Sequence, residues 1–556
     1  MAFDRTYSPY YAVTPPPAGA SMEAAVTAAA YTVLSSVFGS SLELAKIQAR
    51  YDNHLAQVTD GQAETDGIAF GQSVGQAIIA LRSADGMAAA LTTPHPDGEI
   101  PGQWRRTASG EPVAPGWGSV TPWVMTSGNQ FDQGGPPALG SPEYLANYNE
   151  TMTLGAADSM LRTADQTAAV MFWADHVPAK WYTVARDISA QEGLTLVENA
   201  RLFELLSLTM ADATIAGWDM KYNYNFWRPE TAIHEGDNDL NAVTVGDPAW
   251  QSLIAAPAFP GYVSGHSITS AAAAEMLELY FGRGNYTFQI PGMMGMGQAR
   301  TFTSFQQAAE EAGMSRVWGG IHFQFENQDG LVAGGQLAQY VYANAAVSVP
   351  AAPTNLTAKL QTKAGTAPRI ALTFRDNARN ETGFQLERAV NGGAFATLAT
   401  LPARNNTGNV NYTDLTAAAG NTYAYRVAAM NGVMALSAYS NTVTVVVAAA
   451  PVAPLNFTGT AVATSGTRAR VTLSWTDNSN NETQFVIRRA TNAAFTGAST
   501  FTISRSKSQS SSVGSTVTLT QNNLPRGTTY YYQILARNAF GDSVWVNLST
   551  FPITTP

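Results

Sequence analysis

The chain has 556 residues, with 41 acidic against 31 basic side chains for a net charge of −10, six histidines and no cysteine. The length accommodates roughly three or four domains with cores of their own, and the absence of cysteine excludes disulfides, thiolate metal sites and a cysteine nucleophile. The acidic balance argues against nonspecific attraction to nucleic acid or an anionic membrane surface, and with 13 % charged residues solubility rests on neutral polar groups.

From the N-terminus, apolar residues recur at three-to-four spacing through Ala-rich segments at 21–38, 42–57, 67–84, 194–218, 267–281 and 330–346, which predicts helices. The most apolar of them, Met22–Phe38, carries Glu23 and several Thr and Ser and falls short of the roughly 20 apolar residues of a spanning helix. Pro and Gly clusters at 94–102, 112–122 and 134–142 predict long ordered loops over a helical body. The start, MAFDRTYSPYY, shows no basic segment followed by an apolar one, so no secretory signal is visible.

After residue 349 the pattern changes to apolar–polar alternation rich in Thr, Val and Tyr, with Pro-containing joints at 349–353 and 451–454, which predicts strands. Phe374, Asp376, Asn377, Asn380, Glu381 and Phe384 return as Trp475, Asp477, Asn478, Asn481, Glu482 and Phe485, displaced by 101 residues (376 to 477). Tyr423, Tyr425 and Asn431 return as Tyr530, Tyr532 and Asn538, displaced by 107 (423 to 530). Two copies of this kind describe two-sheet sandwiches, and the pattern resembles the fibronectin type III module. The expected organisation is multidomain: an all-α helical-bundle catalytic domain over 1–349, then all-β fibronectin type III sandwiches over 350–448 and 449–556.

The chemistry concentrates in three helical segments. In the first, Trp218 to Pro229, Lys221 and Arg228 stand seven apart. On a helix they would share one face, either gripping one anion or extending over aromatic neighbours. In the second, Phe259-Pro-Gly-Tyr-Val-Ser264-Gly265-His266, a hydroxyl, free amides and an imidazole lie at a helix start, either as an anion site or as a serine cap with an incidental histidine. In the third, Arg316 and His322 stand six apart around Gly319-Gly320, where a turn would let them converge, unless His322 is a core histidine satisfied by backbone. Together these residues describe a pocket for a tetrahedral oxyanion, with one histidine as ligand or nucleophile and the other as acid–base.

These three segments resemble the vanadium-dependent haloperoxidases, which share an active site with type-2 phosphatidic-acid phosphatases and bacterial acid phosphatases. The superfamily signature is Lys-x6-Arg-Pro, Pro-Ser-Gly-His and Ser-Arg-x5-His, and the chain departs from it only in carrying Val263 where proline is usual. The resemblance implies orthovanadate as cofactor, with His322 bonding the metal, and Lys221, Arg228, Ser264, the Gly265 amide and Arg316 holding the oxygens. It implies that His266 takes a proton from incoming hydrogen peroxide, which oxidises halide to hypohalous acid that halogenates a small organic substrate. Trp218 and Phe259 resemble the aromatic wall of a halide pocket, as do Phe226 and Trp227, and Asp175 is a candidate partner for Arg316.

An acid phosphatase with His322 as phosphohistidine nucleophile is the alternative, and a surface-binding module on an inactive scaffold a further one. The β-sandwiches suggest a secreted bacterial enzyme with polysaccharide or cell-surface contact. His54, His95 and His234 are assigned to solvated or loop positions, with His234 also considered for the pocket mouth.

Overall fold

In the computed structural model, which describes residues 3, 6–11, 15–39, 42–107, 110–292, 297–362, 367–404, 406–431, 435–506 and 513–556, the Ala-rich segments fold as helices whose ends are set by caps. Ser21 accepts from the Ala24 amide and starts α1 (Met22–Phe38). α2 (Leu42–Leu55) follows, and α3 (Gln62–Arg82) lies so close to α1 that a Cβ on Gly71 would meet the Ala25 carbonyl oxygen at 2.1 Å. After the single turn α4 (Met87–Ala90), loops predicted from their Pro and Gly content lead to α5 (Pro142–Leu154), α6 (Ala164–Phe172) and α7 (Val177–Glu192).

The longest helix, α8 (Leu196–Tyr224), opens on a capping box between Thr195 and Glu198 and ends at Asn225, whose φ of 48° is left-handed. The rest of the bundle is α9 (Pro229–His234), α10 (Gly265–Phe281), α11 (Phe305–Trp318) and α12 (Gln324–Asn344). A short antiparallel hairpin, β1 (Phe288–Ile290) and β2 (Arg300–Phe302), interrupts the helical order between α10 and α11. Two apolar clusters fill the interior: one around Trp227, Tyr262, Phe323 and Phe325, the other around Phe172, Trp173, Trp181 and Phe305.

The chain divides into two compact units, Met1–Val349 and Pro350–Pro556. The second unit is all-β. One sheet of three strands, β3 (Thr354–Gln361), β4 (Arg369–Asp376) and β7 (Gly408–Asp414), accompanies a second in the order β10 (Val443–Val446), β8 (Thr422–Asn431), β5 (Gly383–Val390), β6 (Ala396–Pro402), with β9 (Ala435–Leu436) beside β8. The same plan recurs with β11 (Leu455–Ser465), β12 (Arg468–Thr476) and β15 (Thr516–Pro525) in one sheet. β13 (Gln484–Ala490), β14 (Ser499–Ser504) and β16 (Thr529–Asn538) lead the other, with β17 (Gly541–Asp542), β18 (Val546–Asn547) and β19 (Ile553–Thr554) pairing β16.

Alternate residues of β4 and of β12 are buried, and Phe374 and Phe384 fill one sandwich while Trp475 and Phe485 fill the other. The fold is thus a helical bundle followed by two fibronectin-type β-sandwiches. No helix of the described residues is long and apolar enough to cross a membrane.

Candidate active site

The last two turns of α8 carry Trp218 and Lys221, and the helix stops three residues after Lys221. The sequence reading of Lys221 and Arg228 on one helical face is therefore corrected. Asn225 reverses the chain, Phe226 bridges to Gln103 in extended pairing, and Arg228 becomes the N-cap residue of α9 ahead of Pro229. The two cations meet through that reversal. The ring of Phe259 lies under both, 5.0 Å from Lys221 Nζ and 4.9 Å from the Arg228 guanidinium carbon. Lys221 is fully buried, and its ammonium donates to the carbonyls of Pro260 at 3.0 Å, Gly261 at 3.0 Å and Val263 at 2.5 Å. It thereby pins the backbone leading into Ser264.

α11 ends with Arg316 in its last turn, Gly319 caps it, and Gly320 at φ +76° turns the chain so that His322 precedes α12. His322 is 3 % exposed and held from both sides. Its Nε2 lies 3.0 Å from Arg228 Nη1, and its Nδ1 lies 2.5 Å from Glu326 Oε2. A guanidinium can only donate, so Nε2 carries the lone pair, and the protonated Nδ1 donates a hydrogen bond to the carboxylate. Arg228 also donates to the carbonyls of Phe259 and Ile321, and its Nη2 is buried with no partner among the described residues.

Glu326 was not singled out from the sequence. It stands four residues after His322 on the first turn of α12, the i,i+4 spacing that could have revealed it. It fits because Gly261 has no side chain: a Cβ there would lie 2.3 Å from Glu326 Oε1.

Ser264 caps α10, its Oγ accepting from the Ser267 amide at 3.3 Å, so Gly265 and His266 occupy the first turn. His266 Nε2 lies 2.8 Å from the Trp173 carbonyl oxygen. A carbonyl only accepts, so Nε2 is protonated and Nδ1 is left with the lone pair. Arg316 donates to Ser315 Oγ at 2.9 Å and to the Val170 carbonyl at 2.9 Å. Its expected partner, Asp175, pairs instead with buried Lys180 at 3.3 Å, because five residues of separation on the approach to α7 bring that ammonium to it first.

His266, Arg316, His322, Gly265, Trp218 and Phe259 all line one cavity of about 480 Å³, with Asp175 and His176 on its wall. Trp218 and Phe259 lie against each other, 5.1 Å between centroids and tilted by 44°. Phe226 and Trp227, expected on the same wall, are core residues instead; Phe226 packs against Phe323 and Phe325. Lys221, Arg228 and Ser264 are fully buried and do not line the cavity.

Burial and the neighbouring cations push His322 well below its ordinary range, and burial with the Arg316 charge does the same to His266. Both imidazoles are neutral at pH 7. Burial pulls Arg228 down to about 10 and Arg316 to about 9, still charged at neutral pH, and draws Lys221 down in the same direction. Glu326 is pushed up by burial to about 7. Three buried cationic side chains thus face one weakly ionised carboxylate, an imbalance that an anion corrects.

The remaining histidines lie elsewhere. His54 is exposed on α2. His95 bonds Asn225 Oδ1 at 3.0 Å and packs against Tyr222. His234 ends α9 and donates to the Trp250 carbonyl at 2.7 Å, so it is tied to backbone rather than solvated, and it does not line the cavity.

Residues 201–349 match the family described as the VCPO second helical-bundle domain. Vanadium chloroperoxidase of Curvularia inaequalis is 26 % identical over 201 residues, covering 30 % of this chain and 32 % of that protein, so the match spans about a third of the relative's length. Among solved structures, the first bacterial vanadium-dependent iodoperoxidase aligns with a TM-score of 0.54 at 24 % identity, covering 61 % of this chain and 86 % of that one. A holo-type bacterial vanadium-dependent chloroperoxidase aligns at 0.47 and 15 % identity over 57 % of this chain and 81 % of that one.

Proposed function

We propose, from the relationship of the helical unit to the vanadium haloperoxidases, that this unit is a vanadate-dependent peroxidase of halides. One observation carries the reading: Lys221, Arg228 and Arg316 are buried around a neutral imidazole whose Nε2 lone pair faces the Arg228 guanidinium, and Arg228 Nη2 has no partner among the described residues. That orphaned donor and surplus positive charge fit an oxyanion. They do not fit a bare metal cation, and among the described residues no group of three His, Asp or Glu is placed to hold one.

In this reading His322 would hold vanadate through Nε2, while Arg228, Arg316, Ser264 and the Gly265 amide would bond its oxygens and Lys221 would add charge from behind. Vanadate so held would supply the Lewis-acidic centre at which hydrogen peroxide becomes reactive toward halide. Glu326 keeps the His322 proton on Nδ1 and so keeps Nε2 available. His266, neutral and anchored through Nε2–H to Trp173, offers Nδ1 as the base that takes a proton from peroxide. Trp218 and Phe259 close the halide side and keep water sparse around the exchange.

Overall, hydrogen peroxide is reduced to water while halide is oxidised to hypohalous acid, with one proton consumed. Residues 350–448 and 449–556 are read as separate fibronectin type III domains, and a secreted bacterial protein whose β unit contacts polymer or a cell surface is the setting that fits them.

The test uses one preparation of the full chain. Loaded with orthovanadate and given peroxide, a chlorinatable dione and chloride, bromide or iodide in turn, it is expected to halogenate, and His322→Ala to abolish this. Hydrolysis of a chromogenic phosphate ester, inhibited by vanadate and without halogenation, would refute the reading in favour of a phosphatase.

A further inference from the structure

The net charge of −10 conceals a division. Residues 1–349 hold 15 Lys and Arg against 34 Asp and Glu, a net −19, whereas residues 350–556 hold 16 against 7, a net +9. The β unit is therefore cationic, and its two sandwiches handle that charge differently at equivalent positions.

In the first sandwich, Glu387 of β5 stands opposite Arg426 of β8. Arg426 lies between Phe395 and Tyr439, 4.1 and 3.8 Å from their centroids, and its Nε donates to Glu387 at 2.7 Å. Next along β5, Arg388 pairs with Asp414 at 2.7 Å. Displaced by the repeat's 101 and 107 residues, the same places in the second sandwich hold Arg488 opposite Gln533, and Arg489 beside Gln521.

There Arg488 lies between Phe495 and Trp545, 4.4 Å from each centroid, and its Nε donates to Gln533 Oε1 at 2.7 Å, while Arg489 donates to Gln521 Oε1 at 2.7 Å. Both carboxylates of the first sandwich have been replaced. Among the described residues no ion pair reaches either arginine. An amide fixes the guanidinium without neutralising it, so the charge stays available.

We propose that the second sandwich binds an acidic polysaccharide, with a sugar carboxylate paired to Arg488 and the sugar rings packed against Trp545. Nε and Nη2 of Arg488 both donate to Gln533 Oε1, which leaves the Nη1 end of the guanidinium to meet a carboxylate, and a half-buried indole offers apolar surface to the C–H face of a pyranose. The Gln533 amide, bonded to exposed Asn547 at 2.7 Å, adds neutral groups that can meet sugar hydroxyls. A nucleic acid is the weaker fit, since it calls for a run of cations along phosphates. Here one guanidinium stands among rings and amides, and residues 350–556 contain only three lysines.

The test is affinity electrophoresis of the full chain through gels containing polygalacturonate, dextran or duplex DNA. Polygalacturonate is expected to retard the protein, less so as salt is raised, and dextran not to. Gln533→Glu recreates beside Arg488 the pairing seen at Glu387, so it is expected to weaken retardation at least tenfold with an unchanged or higher Tm, an outcome misfolding cannot mimic. Arg488→Gln is expected to weaken it similarly and to leave halogenation in the helical unit intact. Equal retardation of Gln533→Glu and the parent, no retardation by polygalacturonate, or stronger retardation by duplex DNA at matched charge would each overturn the proposal.

Discussion

Lys221→Met separates two roles for the most buried ammonium of the site. Methionine keeps the length and apolar stem of lysine but donates nothing, so the carbonyls of Pro260, Gly261 and Val263 lose the donor that joins them. An unsatisfied buried carbonyl costs about 1–3 kcal/mol, and relief of the buried charge offsets part of three such losses, leaving about 3–5 kcal/mol. With an unfolding entropy of about 2.1 cal/mol/K per residue over Met1–Val349, that corresponds to a fall of roughly 4–7 °C in the Tm of the helical unit. Differential scanning calorimetry of the full chain measures it, alongside a vanadate titration of both proteins. A Tm within about 1 °C of the parent, together with a tenfold or larger loss of vanadate affinity, would refute the clamp. The ammonium would then act on the anion and not on the 260–263 backbone.

Glu326→Gln leaves an acceptor for His322 Nδ1–H but removes its charge, and vanadate affinity measured by calorimetric titration is expected to fall about 10–100-fold; a change under threefold would count against the orienting role. Gly261→Ala is expected to have the same effect with added loss of Tm, because the new Cβ would sit 2.3 Å from Glu326 Oε1. Glu204, away from this site, is pushed up by burial to about 7, and its Oε1 has no partner among the described residues. Its folded pKa exceeds its unfolded one, so the folded state holds the proton longer and stability drains as pH rises from near 4.5 to 7. Glu204→Gln is accordingly expected to stabilise the helical unit at pH 8, by up to about 3 kcal/mol, and not at pH 4, as read by urea unfolding at both. A gain equal at the two pH values would contradict it.

What the sequence disclosed depended on whether the chemistry was local. Ser264, Gly265 and His266 are neighbours, and a serine before a helix has few conformations open to it, so its cap could be read directly. The Lys221–Arg228 spacing was visible but its geometry was not, since the helix ends at an asparagine, a residue that tolerates the left-handed turn without announcing it. α5, α6, α7 and α11 escaped because Tyr, Trp and charged residues interrupt their apolar faces, which tertiary packing tolerates but periodicity does not register.

Asp175 was misassigned for a related reason. Arg316 and Lys180 are both buried cations, and only the path of the chain from α6 into α7 decides which of them the carboxylate reaches. The same logic separates the two β-sandwiches. Their repeat was legible from conserved-looking aromatic and Asp-Asn positions, which pack a core, whereas the exchange of Glu387 and Asp414 for Arg488 and Gln521 changes no hydrophobic pattern at all. It becomes meaningful only when register places each arginine opposite its partner, because a buried or ring-flanked charge is defined by what faces it and not by its neighbours along the chain.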